Sequence, residues 1–153
     1  MIIERLTKGR GILAQQLYVL FREEDRMPKP SCPSLDHTEK MLERDGFHVI
    51  VAIEHGRVIG GLTAYEIPMY KEDSREMFLF EIAVHAEWRH QGVGTLLVEA
   101  IKRVCVERDI PKMFVLTSSK NQAALSLYSR TGGIPDIDGV GFSYRLSPPE
   151  KLF

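Results

Sequence analysis

Two cysteines, Cys32 and Cys105, are all that this 153-residue chain carries, so neither a disulfide framework nor a four-thiolate metal site can be built from it. It also lacks an excess of either charge. With 20 basic and 21 acidic residues its formal net charge is -1, and without a basic footprint no nucleic-acid partner is expected. No apolar run approaches the roughly 20 residues that span a bilayer. The start, Met1-Ile2-Ile3-Glu4-Arg5, lacks the layout of a secretory signal. No membrane partner is therefore expected, and a cytoplasmic location fits. His37, His48, His55, His85 and His90 show no ligand spacing among themselves or with the cysteines, so no metal is expected. No repeat, linker or change of composition divides the chain, and residues 1–153 read as one domain.

What is present is a clear alternation of strand and helix signals. Residues 2–6 read as a strand, and Leu13, Leu17, Leu20 and Phe21 mark one face of a helix from Ile12 to about Arg26. Met27 to Pro33 holds three prolines and breaks regular structure. A shorter helix is expected from Leu35 to Arg44. Phe47–Ile53 and Val58–Ile67 read as a hairpin around the turn at Glu54–Arg57, followed by a strand from Glu76 to Val84. Val93, Leu96, Leu97, Ala100, Ile101, Val104 and Cys105 repeat at helical spacing, and Met113–Leu116 is a short strand. Ser119-Lys120-Asn121-Gln122 has the form of a capping box opening a helix that stops at Gly132-Gly133. Val140 to Leu146 reads as a last strand, before Pro148-Pro149. The expected fold is mixed α/β, with helices on both faces of a sheet. The strands on either side of the Val93–Cys105 helix should run parallel.

The chemistry concentrates where the Glu76–Val84 strand meets that helix. Free amides at a helix start, together with the positive end of its dipole, make a site for an anion. Gly92 and Gly94 would let a pyrophosphate approach the main chain, and Arg89 could add a charged contact. Strict alternation puts Met77, Leu79, Glu81 and Ala83 on one face of the strand. A carboxylate among such neighbours needs a partner or a task. Burial would raise its pKa toward the range of a general base, whereas a salt bridge with Arg89 or a lysine would make it structural.

Arg89-His90-Gln91-Gly92-Val93-Gly94, between the fourth strand and the third helix, resembles the acetyl-CoA signature of the GCN5-related N-acetyltransferase (GNAT) family. A second element, Asn121-x-x-Ala124-x-x-Leu127-Tyr128 followed by Gly132, is similar to a later stretch of the same family, and the likeness runs from the first strand to Leu146. The resemblance implies the family's mostly antiparallel mixed sheet, about four helices and a splayed central parallel strand pair. It implies acetyl-CoA as cofactor, bound by Ile82, Ala83, Val84, Arg89, His90, Gln91, Gly92, Val93, Gly94 and Thr95. Asn121 either joins them or simply starts its helix. Amides near Ala83 and Val84 would polarise the acetyl carbonyl. Glu81 would serve as base and Tyr128 as the acid protonating the departing thiolate. Many members dimerise, so a homodimer is an arrangement the resemblance allows, although no self-complementary patch is legible.

Within the family the chain is similar to the type I aminoglycoside 3-N-acetyltransferases, through Gly60-Gly61-Leu62-Thr63-Ala64-Tyr65-Glu66-Ile67-Pro68-Met69-Tyr70 and Phe80-Glu81-Ile82-Ala83-Val84. That likeness implies a small polycationic amine as acceptor, an aminoglycoside in particular, and a role in antibiotic resistance. Glu23, Glu24, Asp36 and Glu66 are the carboxylates proposed to bind it. The chain departs from the pattern at Gly141-Phe142-Ser143-Tyr144, which lacks the family's acidic residue, and at Gly132-Gly133, which carries an extra glycine. Other small amines, polyamines, protein amines and a non-catalytic acyl-CoA-binding role are the alternatives.

Overall fold

A computed structural model describes residues 1–25 and 32–147. The elements are β1 (Ile2–Arg5), α1 (Gly11–Asp25), α2 (Leu35–Glu43), β2 (Phe47–Glu54), β3 (Arg57–Pro68), β4 (Arg75–Val84), a single 3-10 turn (Ala86–Trp88), α3 (Val93–Glu107), β5 (Lys112–Val115) and α4 (Gln122–Arg130). The expected end of the first helix at Arg26, most of the proline-rich break and Pro148-Pro149 lie outside the described residues. Among the described residues, no helix is long and apolar enough to cross a membrane.

The five strands follow chain order across the sheet. β1 to β4 are antiparallel neighbours, and β4 and β5 run parallel from Glu76 beside Lys112 to Leu79 beside Val115. Beyond Leu79 the two part, leaving the β5 side of residues 80–84 unpaired. The expected mixed sheet with a splayed parallel pair is therefore present. β4 and β5 are joined through a helix because a parallel neighbour cannot be reached by a tight turn.

Two cores flank the sheet. On one face α3 buries Val93, Leu97, Val98, Ala100, Ile101, Val104 and Cys105 against Ile50, Leu62, Met77 and Leu79. Each fully buried Leu or Ile there stabilises the fold by about 1.5–3 kcal/mol. Leu96, expected on that stripe, is turned out toward solvent. On the other face Leu17, Leu20 and Phe21 of α1 cover Val49, Val51 and Ala83. Glu39 of α2 fastens this layer, its carboxylate accepting from the amides of Gly9 and Gly11 at 2.7 Å each.

Three local expectations are corrected. α4 does not open at Ser119. Asn121 is its N-cap, with Oδ1 accepting from the Ala124 amide at 3.1 Å, while Ser118 serves the amide of Lys120. The strict alternation along β4 also fails. Thr63 faces Glu81 while Ala64 faces Leu79, so Phe80 is an extra residue, a β-bulge that shifts the phase of everything after it. Met77 and Leu79 pack toward α3, but Ala83 packs with the α1 core. Finally, Val140–Leu146 forms no strand and lies exposed, because no described strand pairs with it.

Candidate active site

The bulge decides where Glu81 points. On the α3 side it would meet Leu62 and Leu97. Shifted by one residue, it lines a cavity of about 230 Å³ between α1, α2 and the sheet. Tyr18 and Phe21 of α1, Met41 of α2, and Thr63, Tyr65 and Phe80 of the sheet form the walls around the carboxylate. Tyr65 and Phe80 meet edge to face, with centroids 5.6 Å apart, and Phe47 lies 4.9 Å from Tyr65.

Among the described residues Glu81 makes no ion pair, so the structural salt bridge is not formed. Its carboxyl opens into the cavity, but the protein around it still raises its pKa. Burial is the leading cause and the negative charge of Asp25 the next, with Arg22 acting the other way. Glu81 in turn adds to the burial that raises the Tyr65 hydroxyl.

Above this cavity β4 runs into the glycine-containing loop. Trp88 packs against the α3-side core and anchors it. His90 (φ 59) and Gly92 (φ 81) are both left-handed, which turns the chain sharply into α3. A Cβ on Gly92 would meet nothing within 4 Å, so its surface is open to a ligand. Gly92 offers no side-chain cap and the first α3 hydrogen bond reaches back from Leu96 to Gly92. The amides of Val93, Gly94 and Thr95 are therefore free donors at the positive end of the helix. Gly94 has a different task, since a methyl there would stand 3.2 Å from Cδ2 of Leu127. Its absence lets α4 close on the first turn of α3, and this brings Tyr128 beside the loop. Tyr128 is half-buried and packs on the α3-side core, and burial raises its pKa, so the phenol keeps its proton.

The structure sorts the other expected residues. Ile82, Ala83 and Val84 lie on the stretch of β4 whose outer edge is free. Arg89 does not point freely at a ligand: its Nε donates to the Val84 carbonyl at 3.1 Å and its guanidinium pairs with Glu24. Gln91 donates to the Glu87 carbonyl at 3.0 Å. Asn121 spends its side-chain oxygen on the cap of α4. Glu23 is exposed on the last turn of α1 and is absent from the cavity walls.

Two of the expected acceptor carboxylates do not belong to this cavity. Asp36 is exposed and paired with Lys40 at 2.8 Å along its own helix. Glu66 lies on the opposite face of β3 from Thr63 and Tyr65, buried on the α3 side. It receives Arg108 at 3.0 Å, Arg75 at 3.3 Å and His48 at 3.4 Å. Conversely, Tyr65 and Phe80 had not been singled out. The period of β3 would have placed Tyr65 beside Thr63, but Phe80 reaches the cavity only through the bulge.

Residues 14–133 match the model of the acetyltransferase (GNAT) family. The chain belongs to that family. Acetyl-CoA is the cofactor of GNAT acetyltransferases, and the open Gly92 surface and free α3 amides fit its pyrophosphate. The fold matches an aminoglycoside acetyltransferase, meta-AAC0020, from an uncultured soil metagenomic sample, in complex with sisomicin. The TM-score is 0.90 at 29% identity, covering 95% of this chain and 96% of that one. AAC(6')-Iy with a bisubstrate analogue shares the fold at 21% identity and a TM-score of 0.76, over 94% of this chain and 97% of its own. N-alpha-acetyltransferase 30 of Xenopus laevis is 30% identical over 76 residues, which are 50% of this GNAT chain. The chain spans only 28% of that relative's length.

Proposed function

We propose that this chain transfers the acetyl group of acetyl-CoA to a primary amine of a small cationic acceptor, with Glu81 as general base and Tyr128 as general acid. The observation that carries it is the bulge at Phe80, which aims an unpaired carboxylate of raised pKa into a cavity, on the strand that runs into the glycine-containing loop and the start of α3.

The acceptor arrives as an ammonium. Glu81, directly or through one water, takes its proton, and a raised pKa suits that task near neutrality. Acetyl-CoA supplies the acetyl group activated as a thioester. The free edge of β4 beyond Leu79 offers main-chain donors to the carbonyl oxygen where negative charge develops. The amine nitrogen bonds the acetyl carbon as the C–S bond breaks, Tyr128 gives its proton to the leaving sulfur, and the second proton shed by the acylated nitrogen returns to the tyrosinate. The loop from Arg89 to Gly94, with Thr95, holds the pyrophosphate. Asn121 supports this site by starting α4.

We assign the acceptor to the aminoglycosides, at the 3-amino group. The stretch from Gly60 to Tyr70 supports this, as does the likeness to an enzyme solved with sisomicin. Asp25, near enough to Glu81 to raise its pKa, and Glu23 on the same last turn of α1 supply negative charge for a polycation, Glu24 being engaged by Arg89, while Tyr65 and Phe80 offer faces to the C–H side of a sugar ring. Asp36 and Glu66 are withdrawn from that role.

Thiol release from acetyl-CoA tests the reading with gentamicin, fortimicin, kanamycin, spermidine and a lysine-containing peptide as acceptors. Turnover with the 3-amino aminoglycosides and its loss in Glu81→Gln are expected. Turnover with the peptide alone would move the assignment to a protein amine. Unchanged turnover in Glu81→Gln would remove the proposed base.

A further inference from the structure

The acceptor side and the cofactor side of the site touch at an ion pair. Tyr18 and Phe21 of α1 line the cavity. Glu24 and Asp25 follow Phe21 by three and four residues, so both continue that face of the helix. Across from them Arg89 opens the loop that leads to the free amides of α3. Its guanidinium meets Glu24 over a sequence separation of 65 residues.

The geometry of this pair opposes both ligands. Nε of Arg89 donates to the Val84 carbonyl at 3.1 Å, and Nη2 donates to Glu24. A guanidinium grips an oxyanion at two points through Nη2 together with either Nε or Nη1. Either fork needs the nitrogen that Glu24 occupies. Glu24 for its part cannot give its charge to an ammonium while Arg89 balances it. The two side chains are 44% and 36% exposed, so the pair is weakly held and open to exchange.

We propose that Arg89 and Glu24 form a latch between the two substrates. Arg89 turns Nη2 from Glu24 to the pyrophosphate of acetyl-CoA, and the carboxylate so released joins Asp25 in receiving an ammonium of the acceptor. Each ligand removes a contact that opposes the other, so the coupling has the same size in both directions. The inference rests on the cationic acceptor proposed above.

Calorimetric titration of the full chain with CoA and with gentamicin tests the latch by sign. In the wild type each ligand should bind about three- to fivefold tighter when the other is saturating. Glu24→Gln should bind CoA alone tighter than the wild type, because Arg89 starts free, and the mutual gain should vanish. Arg89→Ala should bind CoA more weakly but gentamicin alone more tightly. Both variants should keep the wild-type melting curve, since the pair is exposed. Weaker or unchanged CoA binding in Glu24→Gln would mean that Glu24 holds Arg89 in place for the phosphate, and would overturn the proposal. So would a mutual gain as large in Glu24→Gln as in the wild type. A wild type that binds CoA but not gentamicin would overturn the acceptor assignment instead, and the CoA affinities of the two proteins would still decide the latch.

Discussion

Glu66 and Glu81 sit on neighbouring strands, and the protein treats them in opposite ways. Glu66 is buried on the α3 face. Burial by itself would raise its pKa, but Arg108, His48 and Arg75 outweigh it and hold the carboxyl below its ordinary value. Glu81 lies on the α1 face, with no described ion pair and Asp25 nearby, and its pKa goes up. The first carboxylate is neutralised by neighbours that fix it in place, while the second is left with its negative charge unbalanced. A glutamate within a sheet is thus structural or chemical according to the cations that reach it, and those are brought by other elements.

The largest contrast comes from removing each carboxylate in turn. Glu81→Gln should lower turnover by about 10²–10⁴-fold, the range of a lost general base, with the melting temperature kept or slightly raised. Thiol-release assays beside thermal melts would check both halves. Glu66→Ala should do the reverse, leaving the partly exposed Arg108 and Arg75 without their shared partner. Breaking such a cluster costs about 1–3 kcal/mol, measurable by urea unfolding, while turnover per folded molecule persists.

The two sites should also separate with pH. The folded pKa of Glu66 is depressed, so its contribution to stability is complete above the ordinary glutamate value of 4.5 and is lost as pH falls through the lower folded value. Burial chiefly, with Arg5 next, lowers the pKa of His48 below its ordinary 6.5, so acid begins to favour the unfolded chain below that value. Melting temperature should therefore start to fall below about 6.5 and fall faster below 4.5. The acid limb of turnover should lie above 4.5, because the pKa of Glu81 is raised. An acid limb below 4.5 would break the comparison.

The smallest effect is expected from Asp25→Asn. Asp25 helps to raise the pKa of Glu81, so its removal should shift the acid limb of kcat/KM to lower pH and leave the melting curve near wild type. An unshifted limb would mean that burial alone sets the base.

The order of elements from β1 to α4, the loop from Arg89 to Gly94 and the amphipathic stripe of α3 were legible in the residues alone. Each is written in contiguous residues whose spacing matches the period of a helix or strand. The same spacing placed Glu81 on β4 and Tyr128 on α4, which is why the proposed acid and base were legible. Where those side chains point follows from strand register and packing. The bulge at Phe80 arises from the register between β3 and β4, and one residue of slip turns Glu81 from the α3 core to the cavity. Glu66 belonged with the acceptor carboxylates until Arg108, 42 residues away, reached it. Arg89 looked free until α1 brought Glu24 against it. Local period fixes which residues share a face, but a charge finds its partner through contacts between distant segments, and these form only when the elements pack.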